Sequence, residues 1–204
     1  MNSVYPIFSY PVMVCSENYK FTSGEKKYIS ELEMFENVGN LMSRSDRILE
    51  SAELSNLKAF IDSQIYVYKN ELLRMKDENE IYITQSWANN SKPDQFHPKH
   101  NHPNSIISGV MFFNENDGDG LPPLRFHRTI EMFPLAFVFN EINEFNSGGR
   151  WFEPIQGRLI LFPSLLEHGV EKNKSSTERI TISFNTFVRG VIGDNVLLTE
   201  VNIL

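Results

Sequence analysis

Apolar residues recur at two different spacings along the chain, and the change falls near residue 80. Leu54, Leu57, Ile61, Ile65, Tyr68, Leu72 and Met75 follow one another at steps of three and four. That spacing predicts an amphipathic helix over 51–75 whose stripe packs on a sheet. Ser51 stands as its candidate N-cap, with Glu53 in the first turn. Before it, Ser23 to Glu33 reads as a short charged helix. Tyr5 to Cys15 reads as an extended edge segment interrupted by Pro6 and Pro11.

After Glu80 the pattern is short, β-branched and aromatic. IYITQSW (81–87), SIISGVMFF (105–113), PLRFHRT (123–129), LAFVFN (135–140), GRLILFP (157–163) and RITISFNTFV (179–188) read as strands. Turn residues separate them at DGDG (117–120), NSGG (146–149) and Pro163-Ser164. Helices first and many short strands later predict a mainly β fold with buttressing helices, a jelly roll. The expected organisation is one domain over 1–204. In it, 1–79 pack on the sheet, 80–190 form the jelly roll, and 191–204 supply a last strand.

Composition narrows the classes. The chain has 204 residues and a formal charge of -7, which disfavours general nucleic-acid binding. The single cysteine, Cys15, cannot form an internal disulfide, and no apolar run approaches a membrane span. The expectation is a cytoplasmic protein without nucleic-acid or membrane partners. The edge near Tyr5–Cys15 could pair with a second copy to give a homodimer.

The chemistry concentrates in HPKHNHPNS (97–105), which holds three of the five histidines. Neutral imidazole is the commonest side-chain metal ligand. Residues two apart on an extended segment share a face, so His100 and His102 aim together. A third ligand must come from elsewhere. His168, after GRLILFP, is the best candidate, with His127 as the other free histidine. His97 lies at an odd offset from His100, which on a regular strand points it to the opposite face. His97 and Asp94 stay open as alternatives to His102. Arg179 opens an otherwise apolar strand and is costly to bury unpaired. Its partner could be Glu167, Glu171 or a ligand carboxylate.

TQSWAN (84–89), HNHPNSIISGV (100–110), GRLILFPSLLEHGV (157–170) and RITISFNTF (179–187) resemble, in order, the motifs of the 2-oxoglutarate/Fe(II)-dependent oxygenases. More narrowly they resemble a small group of these from marine bacteria and their phages. The resemblance implies a double-stranded β-helix of cupin type. It also implies a dioxygenase using Fe(II), 2-oxoglutarate and O2, with hydroxylation as the default outcome. His100 and His168 take the places of the two histidine ligands, and His102 stands where the superfamily usually has a carboxylate. Arg179 takes the place of the residue gripping the far carboxylate of 2-oxoglutarate, with Thr181 assisting. Asn104 and Ser108 are candidates either for contact with 2-oxoglutarate or for turn and core hydrogen bonding. Trp87 and Phe162 are expected in the core. The loops 114–123 and 140–156 are expected to frame the entrance for a peptide or small-molecule substrate.

Two rival readings use the same histidines. One is a three-histidine cupin-like dioxygenase that needs no 2-oxoglutarate. The other is a non-enzymatic jelly-roll module with a structural metal. Imidazoles with an ordinary pKa of about 6.5 must lose their protons to ligate, so metal affinity is expected to fall away below roughly pH 6.

Overall fold

The computed structural model describes residues 3, 5, 9–114, 120–129 and 134–204. Its strands in chain order are β1 (Met13–Val14), β2 (Met34–Glu36), β3 (Leu41–Ser43), β4 (Glu80–Ser91), β5 (His97–His100) and β6 (Ile107–Phe112). They continue with β7 (Leu124–His127), β8 (Gly149–Phe152), β9 (Leu159–Pro163), β10 (His168–Val170), β11 (Arg179–Ile192) and β12 (Val201–Ile203). The helices are α1 (Ser23–Ser30) and α2 (Ser55–Val67). The major sheet runs β1-β9-β6-β11-β4-β3-β2, with β12 on the far end of β11. The minor sheet runs β5-β10-β7-β8. The paired strands are antiparallel throughout both sheets. This is the expected jelly roll with its helices on one side.

Period-two alternation sorts the side chains into two cores. From β11, Ile182 and Phe184 join Leu57, Ile61 and Ile65 of α2 in the outer core, and Ile180 packs against it. From the same sheet, Val110, Phe112, Ile160 and Phe162 turn the other way. They meet Leu124, Phe126, Leu166 and Val170 between the sheets. Ile81 and Ile83 of β4 share the outer face with Ala88 despite the odd interval. The β4–β11 register shift between Asn185 and Thr186 absorbs the extra residue.

Several boundaries differ from the sequence reading. The long helix divides: a 3₁₀ turn (Ala52–Leu54) leads into α2, and a π turn (Tyr68–Leu72) follows it. Ser51 precedes the 3₁₀ turn, and its hydroxyl bonds the Glu53 carboxylate rather than a helix amide. α1 begins at a reciprocal capping box between Thr22 and Glu25. The edge segment forms β1 over Met13–Val14, paired with β9, while residues 4 and 6–8 of it lie outside the described residues. LAFVFN forms no strand, and Leu135, Phe137 and Val138 are exposed. It is an apolar run without alternation, and the place beside β7 is taken by β8. Of DGDG, only Gly120 is described.

Gly109 shows how tightly the major sheet meets its outer core. It pairs with Phe184 across β6 and β11, and an added Cβ would lie 2.1 Å from the Phe184 ring. Gly109→Ala is expected to cost about 1–3 kcal/mol, read as a lower urea midpoint. Phe184→Leu in the same chain should recover part of that loss. An additive double variant would contradict the steric account.

Candidate functional site

β5 and β10 are hydrogen-bonded neighbours, with His168 opposite His100. His102 lies just past the end of β5, and its backbone N–H donates to the Ser164 carbonyl at 2.9 Å. Serine hydroxyls knit this segment to the turn before β10. Ser164 Oγ donates to Ser105 Oγ at 2.7 Å, and Ser108 Oγ contacts Ser164 Oγ at 2.8 Å and Asn185 Oδ1 at 2.7 Å. The result brings His100, His102 and His168 together, with one nitrogen of each within 4.8 Å of the others.

The tautomers suit a cation. Nδ1 of His100 lies 2.8 Å from the Pro98 carbonyl, and Nδ1 of His168 lies 2.9 Å from the Leu166 carbonyl. A carbonyl only accepts, so each Nδ1 carries the proton and each Nε2 keeps its lone pair. Phe162, buried in the inner core as expected, packs its ring 4.7 Å from that of His168.

His97 departs from the expectation. Its ring stacks on His100 at 4.4 Å and 18°, and it lines the same pocket. The cause is a register shift: Val170 pairs with His97 and His168 with His100, so residues 97–100 of β5 oppose 168–170 of β10, one residue more on β5. The bulge cancels the odd offset. Asp94 is exposed and ion-paired to Lys172 at 2.7 Å, so it is not a ligand candidate. His127 lies on β7 and does not line the pocket.

Burial holds these imidazoles neutral. It pushes His97 down to about 3 and His102 down to about 4 from an ordinary 6.5. His100 is lowered by the same cause, and His168 well below its ordinary value. The metal-free imidazoles therefore take up protons at a lower pH than unperturbed imidazole does.

Arg179 forms the opposite end of the pocket. It is 3% exposed. Its Nε donates to the Pro122 carbonyl at 2.9 Å, and its guanidinium lies over the Phe112 ring at 5.4 Å. Nη2 is buried without a partner among the described residues. Glu167 and Glu171 do not serve it: they pair with Lys99 at 2.9 Å and Arg125 at 2.8 Å. Nor is the arginine on the apolar face of its strand. Ile180, Ile182 and Phe184 turn toward α2, whereas Thr181 and Ser183 line the pocket beside Arg179. No carboxylate lines this pocket among the described residues. Four imidazoles and one guanidinium thus surround a space suited to a metal and an anion.

Residues 85–185 match the family described as "Putative 2OG-Fe(II) oxygenase". The chain belongs to the 2-oxoglutarate/Fe(II)-dependent oxygenase superfamily. Members are dioxygenases, and their cofactors are Fe(II), 2-oxoglutarate and O2. Solved structures agree in fold. An oxidoreductase of this family from Burkholderia pseudomallei has a TM-score of 0.59 at 13% identity, over 86% of this chain and 83% of that one. A prolyl-4-hydroxylase from Pseudomonas putida has a TM-score of 0.59 at 13% identity, over 89% and 95%. HygX from Streptomyces hygroscopicus, solved with nickel, 2-oxoglutarate and hygromycin B, has a TM-score of 0.58 at 11% identity, over 86% and 82%. A comparison with curated protein sequences finds no match.

Among the remaining oxygenase candidates, Thr181 lines the pocket, while Asn104 and Ser108 do not. Asn104 sits in an exposed turn at a positive φ of 59°, and Ser108 is buried in the serine network. Trp87, expected in the core, instead lines the pocket with its ring 5.7 Å from His102. Asn89 was not singled out by sequence and also lines it. The signal was available: Trp87 and Asn89 stand two apart in TQSWAN, on one face of a strand. No described helix is long and apolar enough to cross a membrane.

The depressed pKa values set a sign. Below about pH 6.5 the unfolded chain takes up protons that the folded, metal-free chain refuses. Stability should fall from about pH 6.5 down through about 4, where the His102 contribution is lost. Urea midpoints of metal-free protein measured across that range check this; a flat profile would contradict buried neutral imidazoles.

Proposed function

We propose that His100, His102 and His168 hold Fe(II), and that Arg179 and Thr181 hold the far carboxylate of 2-oxoglutarate. The unpartnered Nη2 of a buried Arg179, in a pocket without an acid among the described residues, is the observation that carries this reading. A guanidinium so placed is expensive unless a ligand anion completes it. When bound, the iron supplies the activation of O2 coupled to oxidative decarboxylation of 2-oxoglutarate, which leads to hydroxylation of a C–H bond.

The chain's own contribution is binding and exclusion of water. The Pro98 and Leu166 carbonyls fix the proton on Nδ1 of two imidazoles and aim the other nitrogen inward. The serine network holds the His102 segment against the turn at Ser164. Trp87 closes one side of the pocket beside His102. Three neutral imidazoles leave the full charge of a divalent ion uncompensated, where a histidine–carboxylate set leaves one unit less. That difference favours a dianionic co-substrate.

A peptide or a small molecule is the substrate class we propose, with neither nucleic acid nor membrane as partner. The net charge of -7 supports the exclusion of nucleic acid. The lone cysteine supports cytoplasmic residence, and a homodimer through the β1 edge fits its place at the end of the major sheet.

Anaerobic addition of Fe(II) and 2-oxoglutarate should give a weak visible charge-transfer band, and Arg179→Ala should weaken 2-oxoglutarate binding about 100-fold. Absence of the band would favour the cupin-like reading without 2-oxoglutarate, and a band indifferent to Arg179 would contradict the role given to that residue. His102→Ala should release the metal. His102→Asp should keep it while lowering affinity for 2-oxoglutarate, measured as a rise in KM and followed by succinate release.

A further inference from the structure

The pocket floor is a ladder of cross-strand pairs between β11 and β4. Arg179 faces Ser91, Thr181 faces Asn89, and Ser183 faces Trp87. Alternate residues share a face, so Arg179, Thr181 and Ser183 form one rail, with Asn89 and Trp87 on the other. Trp87 marks the histidine end, with its ring beside His102. Asn89 therefore lies on the middle rung, between the guanidinium and the metal ligands.

Asn89 is 5% exposed and lines the pocket. One end of its carboxamide is engaged, Nδ2 donating to Ser183 Oγ at 3.1 Å. The other end, Oδ1, is buried with no partner among the described residues. A buried amide end left open costs about 1–3 kcal/mol, so a ligand group that fills it is strongly favoured. Two open polar groups, the Asn89 amide and Arg179 Nη2, line the same small space.

Ser183 permits the amide to answer an anion. A hydroxyl both donates and accepts. With the amide turned over, Ser183 Oγ–H donates to Oδ1, and the Asn89 NH2 faces the pocket. Beside Arg179 and Thr181, an anionic ligand favours that orientation.

We infer that Asn89 is a third contact for the far carboxylate of 2-oxoglutarate, donating from its amide while Ser183 holds the opposite end. The inference rests on the proposed role of Arg179 and adds to it a residue that sets selectivity for a 2-oxo acid with a second carboxylate.

The test compares two ligands on the Fe(II)-loaded protein without oxygen, titrated through the visible band. One is 2-oxoglutarate. The other is 2-oxopentanoate, the same length with a methyl group in place of the far carboxylate. Asn89→Asp, nearly isosteric, should weaken 2-oxoglutarate about 30-fold and leave 2-oxopentanoate within about threefold. Asn89→Ala should move the ratio the same way by about tenfold, and Ser183→Ala by less. Fe(II) affinity measured alone should hold in all three. Equal weakening of both ligands, or loss of Fe(II) binding, would mean a structural role and overturn the inference. So would an unchanged ratio in the Asn89 variants while Arg179→Ala abolishes the preference. A preference that survives Arg179→Ala, or no band in the wild-type protein, would instead overturn the reading of the pocket on which the inference rests.

Discussion

A guanidinium enclosed between two β-sheets sets the terms for everything around it. Transfer of a cation from water costs several kcal/mol even after relaxation, and a missing hydrogen-bond partner adds to that. Arg179 recovers part of the cost from the Pro122 carbonyl and part from the face of Phe112. The remainder is carried by apolar packing elsewhere. On the reverse of the same strand, Ile180, Ile182 and Phe184 are locked against α2. The strand that holds the cation is thus also anchored to the outer core by its opposite face.

The same enclosure governs the histidines. Burial and mutual proximity keep them unprotonated, with Arg179 adding to the effect at His97. An acidic chain of net charge -7 therefore encloses a pocket whose fixed charge among the described residues is that of Arg179. Neutral nitrogen donors at one end and a cation at the other make the pocket receptive to a metal together with an anion. The rival reading as a closed structural metal site finds no support in this asymmetry, because a closed shell has no use for a buried guanidinium nearby.

Much of this was legible in the sequence. The helix stripe, most strands from 80 onward and the shared face of His100 and His102 follow from spacing, because backbone periodicity fixes which side chains share a face. His168 came from its place after GRLILFP and from the family resemblance. Register irregularities were not legible. The bulge opposite His168–Val170 turned His97 into the pocket, and the shift at Asn185 and Thr186 exchanged the faces of β4. A bulge leaves no periodic trace, since it is set by how two distant strands align. The polarity of one β11 face was present in alternation but concealed by reading the strand as apolar. LAFVFN failed for the converse reason: β propensity alone does not make a strand, and the place beside β7 is taken by β8.

The two sheets divide the labour unequally. His100 and His168 stand on the minor sheet and His102 just beyond it, whereas Arg179 and Thr181 stand on the major sheet. On the proposed arrangement, a co-substrate chelated at one end and gripped at the other is a rivet through the sandwich. Its arrival would damp the sliding of one layer over the other, so the molecule consumed in each turnover would also be the brace that holds the reaction chamber to its working width.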